Sequence, residues 1–206
     1  MRKIEKIENK KKTQLSLVLL AAGEGRRFGS NKLLSQVGEK PMYQHIVDEI
    51  ESYGKDLFEK RIIVTQYDQI AHAMEQRGYE VVRNLHPEKG ISWSLRLGLL
   101  TAKKSEKSHA RQAVCFAVCD QPYLRGRTIR CFLENWMESG KGLGCLGFHG
   151  SLGNPAVFSE NYFSALERLE GDKGGKGLIA LYPEDLYVYQ AEDGKELEDI
   201  DRKTRL

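Results

Sequence analysis

Apolar residues along this chain fall in two alternating rhythms. Short continuous runs at 15–20, 61–65 and 113–119 have the length and side chains of strands buried on both faces, and similar stretches follow at 80–82, 143–148, 155–158 and 186–189. Between them the spacing turns helical. After Pro41, a residue suited to a first helical turn, Met42, Ile46, Ile50 and Tyr53 share one face until Gly54 ends the segment. Further helices are expected over 69–77, 92–103, 127–138, 162–169 and 177–182. Such alternation predicts an α/β fold of three α/β/α layers, Rossmann-like, with a mostly parallel central sheet whose ligands bind beyond the carboxyl ends of the strands.

Composition narrows the picture. With 206 residues, 40% of them hydrophobic, the chain suits one soluble domain, and a formal charge of +3 spread among nearly balanced acids and bases gives no nucleic-acid surface. Residues 1–14 are dense in Lys and Glu, with only Ile4 and Ile7 apolar after Met1, and read as a charged arm preceding a domain over 15–206. The arm lacks the apolar centre of a signal peptide and no run reaches the length of a membrane span, so a cytoplasmic protein is expected. Cysteines 115, 119, 131 and 145 show no metal-ligand spacing; Cys115 and Cys119 share a strand face and read as buried, reduced thiols. The histidines are isolated, and no nucleophile–histidine–acid set can be read from them.

The chemistry concentrates where the first strand ends. Leu20-Ala21-Ala22-Gly23-Glu24-Gly25-Arg26-Arg27-Phe28-Gly29-Ser30-Asn31-Lys32 is a glycine loop with cations, in which amide N–H groups can approach an anion and Arg26, Arg27 and Lys32 supply full charge. A P-loop requires Gly-Lys-Ser/Thr, but Gly29 and Lys32 are separated. A dinucleotide fingerprint is spoiled by Phe28 and by the lack of an acid after Thr65-Gln66-Tyr67. A plain surface turn is the remaining reading. At the same predicted sheet edge, the run 113–119 delivers Asp120-Gln121-Pro122, where a carboxylate can hold Mg²⁺ or simply cap a turn.

The loop resembles the L-A-A-G-x-G-x-R-x-G-x-x-K start of nucleotidyltransferases, in the branch that matures the molybdenum cofactor. That resemblance places Arg26 and Lys32 on the triphosphate, with Leu20, Ala21, Ala22, Gly23 and Gly25 around the nucleotide. It makes Asp120 a metal ligand and, through Leu197-Glu198-Asp199-Ile200-Asp201, Asp201 a second one on an expected short strand, although Arg202-Lys203-Thr204-Arg205 departs from the family's D-I-D-T-P-E-D. Gly90-Ile91-Ser92-Trp93-Ser94-Leu95 is similar to its G-x-S-x-S-L segment, so Ser92 and Ser94 would cap a helix or touch the nucleotide. Asn154 in Gly153-Asn154-Pro155, and Asp172 and Lys176 in Gly171-Asp172-Lys173-Gly174-Gly175-Lys176, would face a pterin, with Asn154 replacing a histidine and Lys176 an arginine.

The resemblance covers about residues 15–201 and implies a cytidylyltransferase that joins CTP and molybdopterin with Mg²⁺ and releases pyrophosphate, serving a molybdenum hydroxylase. L-A-A-G accompanies cytosine in these families and L-A-G-G guanine. Two alternatives stay open: nucleotidyl transfer to a sugar or alcohol phosphate or with GTP, and a non-catalytic carrier of the finished cofactor.

Overall fold

A computed structural model describes residues 13–23, 31–103 and 111–200. In chain order its strands are β1 (Gln14–Ala21), β2 (Gln36–Val37), β3 (Lys40–Pro41), β4 (Lys60–Thr65), β5 (Glu80–Arg83), β6 (Gln112–Val118), β7 (Leu143–Phe148), β8 (Ser151–Ser159) and β9 (Leu186–Gln190). Its helices are α1 (Met42–Tyr53), α2 (Asp68–Gln76), α3 (Ile91–Ala102), α4 (Gly126–Ser139), α5 (Phe163–Glu167) and α6 (Gly175–Ala180). Each apolar run predicted as a strand is one, while the small β2–β3 ladder has no counterpart in the apolar pattern. The helix expected over 162–169 shortens to α5 behind a 3₁₀ turn at Glu160–Tyr162.

Seven strands form one sheet in the order β5-β4-β1-β6-β8-β7-β9. All run parallel except β8, which is antiparallel to both β6 and β7. The reversal follows from the turn: Phe148 pairs with Ser151, so only His149 and Gly150 connect β7 to β8, both at positive φ. Such a connection makes a hairpin and leaves no room for a crossover helix. The strand expected to start at Pro155 begins at Ser151 and passes through the proline at a bulge, because Cys145 pairs with Ala156 but Leu146 with Gly153. A bulge is where an interior strand tolerates a residue without an N–H.

Side chains of β1 alternate between two cores. Leu15, Leu17 and Leu19 meet Ile46 of α1, Met74 of α2 and Phe132 of α4 on one face. Val18 meets Leu95 of α3, Leu166 of α5 and Ile179 of α6 on the other. Burial on both faces explains why these strands read as continuous apolar runs. The chain goes from β1 to β4 and β5 on one side, then returns to β6 on the other. The loops leaving β1 and β6 therefore diverge, and a crevice opens between them.

Candidate active site

A cleft of about 380 Å³ occupies that crevice. Leu20, Ala22 and Gly23 line it from the exit of β1, Val118 and Asp120 from the exit of β6, and Lys32 from the short turn that follows the glycine loop. Register makes this possible: Leu20 stands opposite Val118 on one side and Val64 on the other, so three strand ends are level.

The exit of β1 is held from behind by β4. Thr65 Oγ1 donates to the Ala21 carbonyl (3.0 Å), Gln66 Nε2 to the Ala22 carbonyl (2.9 Å) and the Tyr67 hydroxyl to the Gly23 carbonyl (2.6 Å). Successive residues at one strand end thus fix successive peptide planes at the next. Sequence reasoning saw in Thr65-Gln66-Tyr67 only a missing acid; three polar side chains directly after a buried run were the available signal.

Lys32 and Asp120, distant in sequence, meet as an ion pair, with Lys32 Nζ 2.6 Å from Asp120 Oδ2 and side chains 16% and 20% exposed. Asn31 caps the 3₁₀ turn Lys32–Leu34 by accepting the Leu33 N–H at 3.1 Å, which sets the start of the lysine side chain. Beneath Asp120, Cys115 and Cys119 face the core as expected, buried and free. Burial pushes the Cys115 thiol up to about 12, and at Cys119 burial raises the thiol too, with the Asp120 charge adding to it. Neither thiol is a nucleophile at neutral pH.

The opposite wall is formed where α3 begins. Its N-cap is Gly90, at φ +80° and with no side-chain cap, so the expectation that Ser92 or Ser94 caps this helix is corrected: both lie inside its first turns. Glycine is required there, since a Cβ would also collide with the Gly171 carbonyl oxygen, and the Asp172 carboxylate lies alongside. The Ser92 N–H is already taken by the Gly171 carbonyl (3.1 Å). Ser94 lines the cleft and accepts from Asn84 Nδ2 at 3.0 Å, while Asn84 Oδ1 accepts the His86 N–H at 2.9 Å. Asn84, buried at the end of β5, is a support that the apolar pattern did not reveal.

Asp172 also lines the cleft, beside the α3 N-terminus. Asn154 sits on β8 at the bulge and Lys176 is exposed on α6; neither lines the cleft itself. Residues 197–201 were expected to form a strand, but a 3₁₀ turn spans Gly194–Leu197 and residues 198–200 join no ladder. The cause is a contact from a distant segment: main-chain groups there bond to the Asp120 loop, with Ile200 N–H donating to the Asp120 carbonyl at 3.1 Å. Gly25, Arg26, Arg27 and Asp201 lie outside the described residues.

Glu88, Asp120 and Asp172 thus share the cleft with Lys32. Among the described residues the carboxylates outnumber the ammonium, an arrangement that repels a polyphosphate unless a cation intervenes. Oxygen donors of this kind suit a hard divalent ion held by one or two carboxylates and substrate phosphates. No helix of the described residues is long and apolar enough to cross a membrane.

Comparison with known proteins agrees with this fold. A probable molybdenum cofactor guanylyltransferase of Pyrococcus horikoshii is 33% identical over 88 residues, covering 41% of this chain and 44% of that protein. The chain therefore spans less than half the length of this curated relative in the match. The solved structure of Rv0371c from Mycobacterium tuberculosis superposes with a TM-score of 0.72 at 25% identity, covering 92% of this chain and 94% of that one. A second structure of Rv0371c, described as a complex with manganese, gives a TM-score of 0.68 at 23% identity over 86% and 88% of the two chains. The MobA-like NTP transferase domain matches residues 17–187. This chain, with its seven-stranded sheet and its cleft at the β1/β6 switch point, belongs to the MobA-like NTP transferase domain family.

Proposed function

We propose that the protein transfers CMP from CTP to molybdopterin and releases pyrophosphate. The observation that carries this reading is the meeting of Ala22–Gly23, Lys32 and Asp120 in one cleft. A triphosphate laid along the β1 exit would bring its leaving end to Lys32 and its α-phosphorus toward Asp120. Asp120, with Asp201 outside the described residues, would hold Mg²⁺, which when bound neutralises phosphate oxygens and aligns the transferred group. The manganese of the Rv0371c complex supports a divalent ion here.

The remaining work falls to the chain's own groups. An ionised terminal phosphate oxygen of the acceptor attacks the α-phosphorus of CTP, a new P–O bond forms, and the bond to the bridging oxygen of pyrophosphate breaks in line. Lys32, released from Asp120, meets the charge that grows on that leaving group. The peptide planes fixed by Thr65, Gln66 and Tyr67 hold the nucleotide without rearrangement, so binding loses little to reorganisation. No proton has to be removed from the attacking oxygen, and among the described residues the cleft lining includes no histidine. Asn154, Asp172 and Lys176 are assigned to the pterin side.

The base is the point of competition. The P. horikoshii relative is named for guanylyl transfer, which favours GTP as a second reading. Against it stands Ala22, 5% exposed and in the cleft wall, whose methyl narrows the space that a glycine would leave for a purine. Pyrophosphate release from CTP and from GTP, each with purified molybdopterin, tests the proposal. Turnover with CTP well above GTP is expected. Equal turnover removes the base assignment, a GTP preference moves the protein to guanylyl transfer, and no pyrophosphate from either leaves a carrier role.

A further inference from the structure

Asp120 lies between two peptide groups that are tied to different parts of the chain. Upstream, the Cys119 N–H donates to the Leu20 carbonyl (3.2 Å), holding the residue to β1; downstream, the Asp120 carbonyl accepts the Ile200 N–H at 3.1 Å. Gln121, 2% exposed, donates its side-chain amide to the Leu197 carbonyl at 3.1 Å. Both downstream partners come from the segment 194–200.

That segment is itself anchored. Glu196 is 2% exposed, and its carboxylate accepts the Arg125 main-chain N–H at 3.2 Å and the Arg125 guanidinium. A carboxylate buried this far is kept only where hydrogen bonds replace its lost water, and here Arg125, at the N-cap of α4, supplies them. Gly194 rests on Phe148, where a Cβ would come within 2.8 Å of the ring. Leu197 lies over Gly153, and Leu197 and Ile200 pack on the core face shared with α1 and α4.

We propose that residues 194–200 are a strap that fixes the Asp120 carboxylate for metal binding, with Glu196 and Gln121 as positioning residues. The proposal rests on the metal role given to Asp120 above. Strand β6 ends at Val118, so Asp120 stands on a turn that the sheet restrains on its upstream side. The strap restrains the other side, and an ion held by so few protein oxygens depends on ligands fixed to a fraction of an ångström. A strap that only sealed the core would need Leu197 and Ile200, but not a buried carboxylate and a buried amide gripping the Asp120 loop.

The test compares Glu196→Gln and Gln121→Met, which each remove one of the strap's two side-chain ties, with Leu197→Ala, which removes only its apolar contact. Mn²⁺ binding to the protein alone is measured by electron paramagnetic resonance, inorganic tripolyphosphate binding by calorimetry in EDTA, and folding by thermal melting. Both strap variants are expected to bind Mn²⁺ about tenfold more weakly, as loss of a ligand's supporting hydrogen bonds typically does, with tripolyphosphate affinity within about twofold of the parent. Leu197→Ala is expected to melt lower and keep its Mn²⁺ affinity. If one strap variant fails to fold, the other decides. The proposal is overturned if a folded strap variant keeps the parent's Mn²⁺ affinity, if Mn²⁺ and tripolyphosphate weaken equally, or if Leu197→Ala loses Mn²⁺ as strongly. A parent that releases pyrophosphate while a strap variant keeps full Mn²⁺ affinity sinks the strap and spares the transferase reading; a parent that binds no Mn²⁺ sinks both the strap and the metal role of Asp120.

Discussion

The two halves of the cleft are built differently. The half assigned to the nucleotide stands on β4, β1 and β6, all parallel and in level register, so the residues just past each strand are delivered directly to the crevice. The half assigned to the acceptor is walled by the loop at Gly171–Asp172 that abuts Gly90, and its other segments, the reversed strand β8 with its bulge and the start of α6, are set back from the cleft lining. In the first, position along the chain dictates position in space. In the second, segments separated by whole elements become neighbours only through packing, and small changes in any one can shift the rest. Substitutions on the nucleotide side should therefore act on binding and chemistry together, whereas those on the acceptor side should act on the acceptor alone.

The largest effect is expected from Asp120→Asn, which keeps shape but loses the charge at the junction of the halves. Turnover should fall by about 10³-fold or more with melting little changed, and activity within about tenfold of the parent would remove Asp120 from the metal site. Lys32→Ala should come next, weakening nucleotide binding and slowing pyrophosphate release by about 10²-fold. Because Lys32 Nζ stands 2.6 Å from Asp120 Oδ2, it competes for that oxygen, and the same variant should bind Mn²⁺ more tightly in the absence of nucleotide. Calorimetry with CTP and with Mn²⁺ checks both signs.

Asn154→Ala sharpens the comparison from the other half. An increase of about tenfold in the KM for molybdopterin with the KM for CTP unchanged is expected, equivalent to roughly 1.4 kcal/mol for one lost hydrogen bond. Equal rises in both constants would mean that the halves are not separable. Ala22→Gly should narrow the ratio of CTP to GTP turnover by about 1 to 3 kcal/mol in free-energy terms, a relaxation and not a reversal.

The smallest effect concerns pH. Burial raises the Asp48 carboxyl, but hydrogen bonds from Lys40 and Arg77 outweigh it and hold the group below the usual carboxylate range. Under the acceptor half, burial likewise raises Asp185, and bonds from the Tyr162 hydroxyl and the Gly142 N–H outweigh it. A depressed folded-state pKa stabilises above the unfolded value of about 3.9 and ceases to do so as pH falls through the folded value. Asp48→Asn and Asp185→Asn should each melt a few degrees lower at pH 7, and their difference from the parent should shrink as the pH drops below that range.

Legibility in the sequence follows the same division. Strands buried on both faces announced themselves, because β1 and β6 are apolar at nearly every position. Asp120 could be named because it closely follows such a run, and Lys32 because it closes the glycine loop that follows another. Asn84 and Glu196 could not: each is an ordinary polar residue in a polar stretch, and its burial and bonding appear only in the folded chain. The expected strand at the C-terminus failed for a related reason, since alternation of acids and apolar residues describes equally a strand and a segment whose main chain is claimed by a neighbouring loop.

By itself, then, the sequence determined the α/β alternation, the β1 exit and the carboxylate after β6, since hydrophobic periodicity and residues adjacent to a strand end are local properties of the chain. Tertiary structure alone decided that β8 runs backwards through a bulge at Asn154–Pro155 and that Lys32 stands on Asp120. It also decided that residues 194–200 close behind the Asp120 loop. Each of these depends on which groups separated by tens of residues come within hydrogen-bonding distance, a matter that burial and packing of the whole settle and no local pattern encodes.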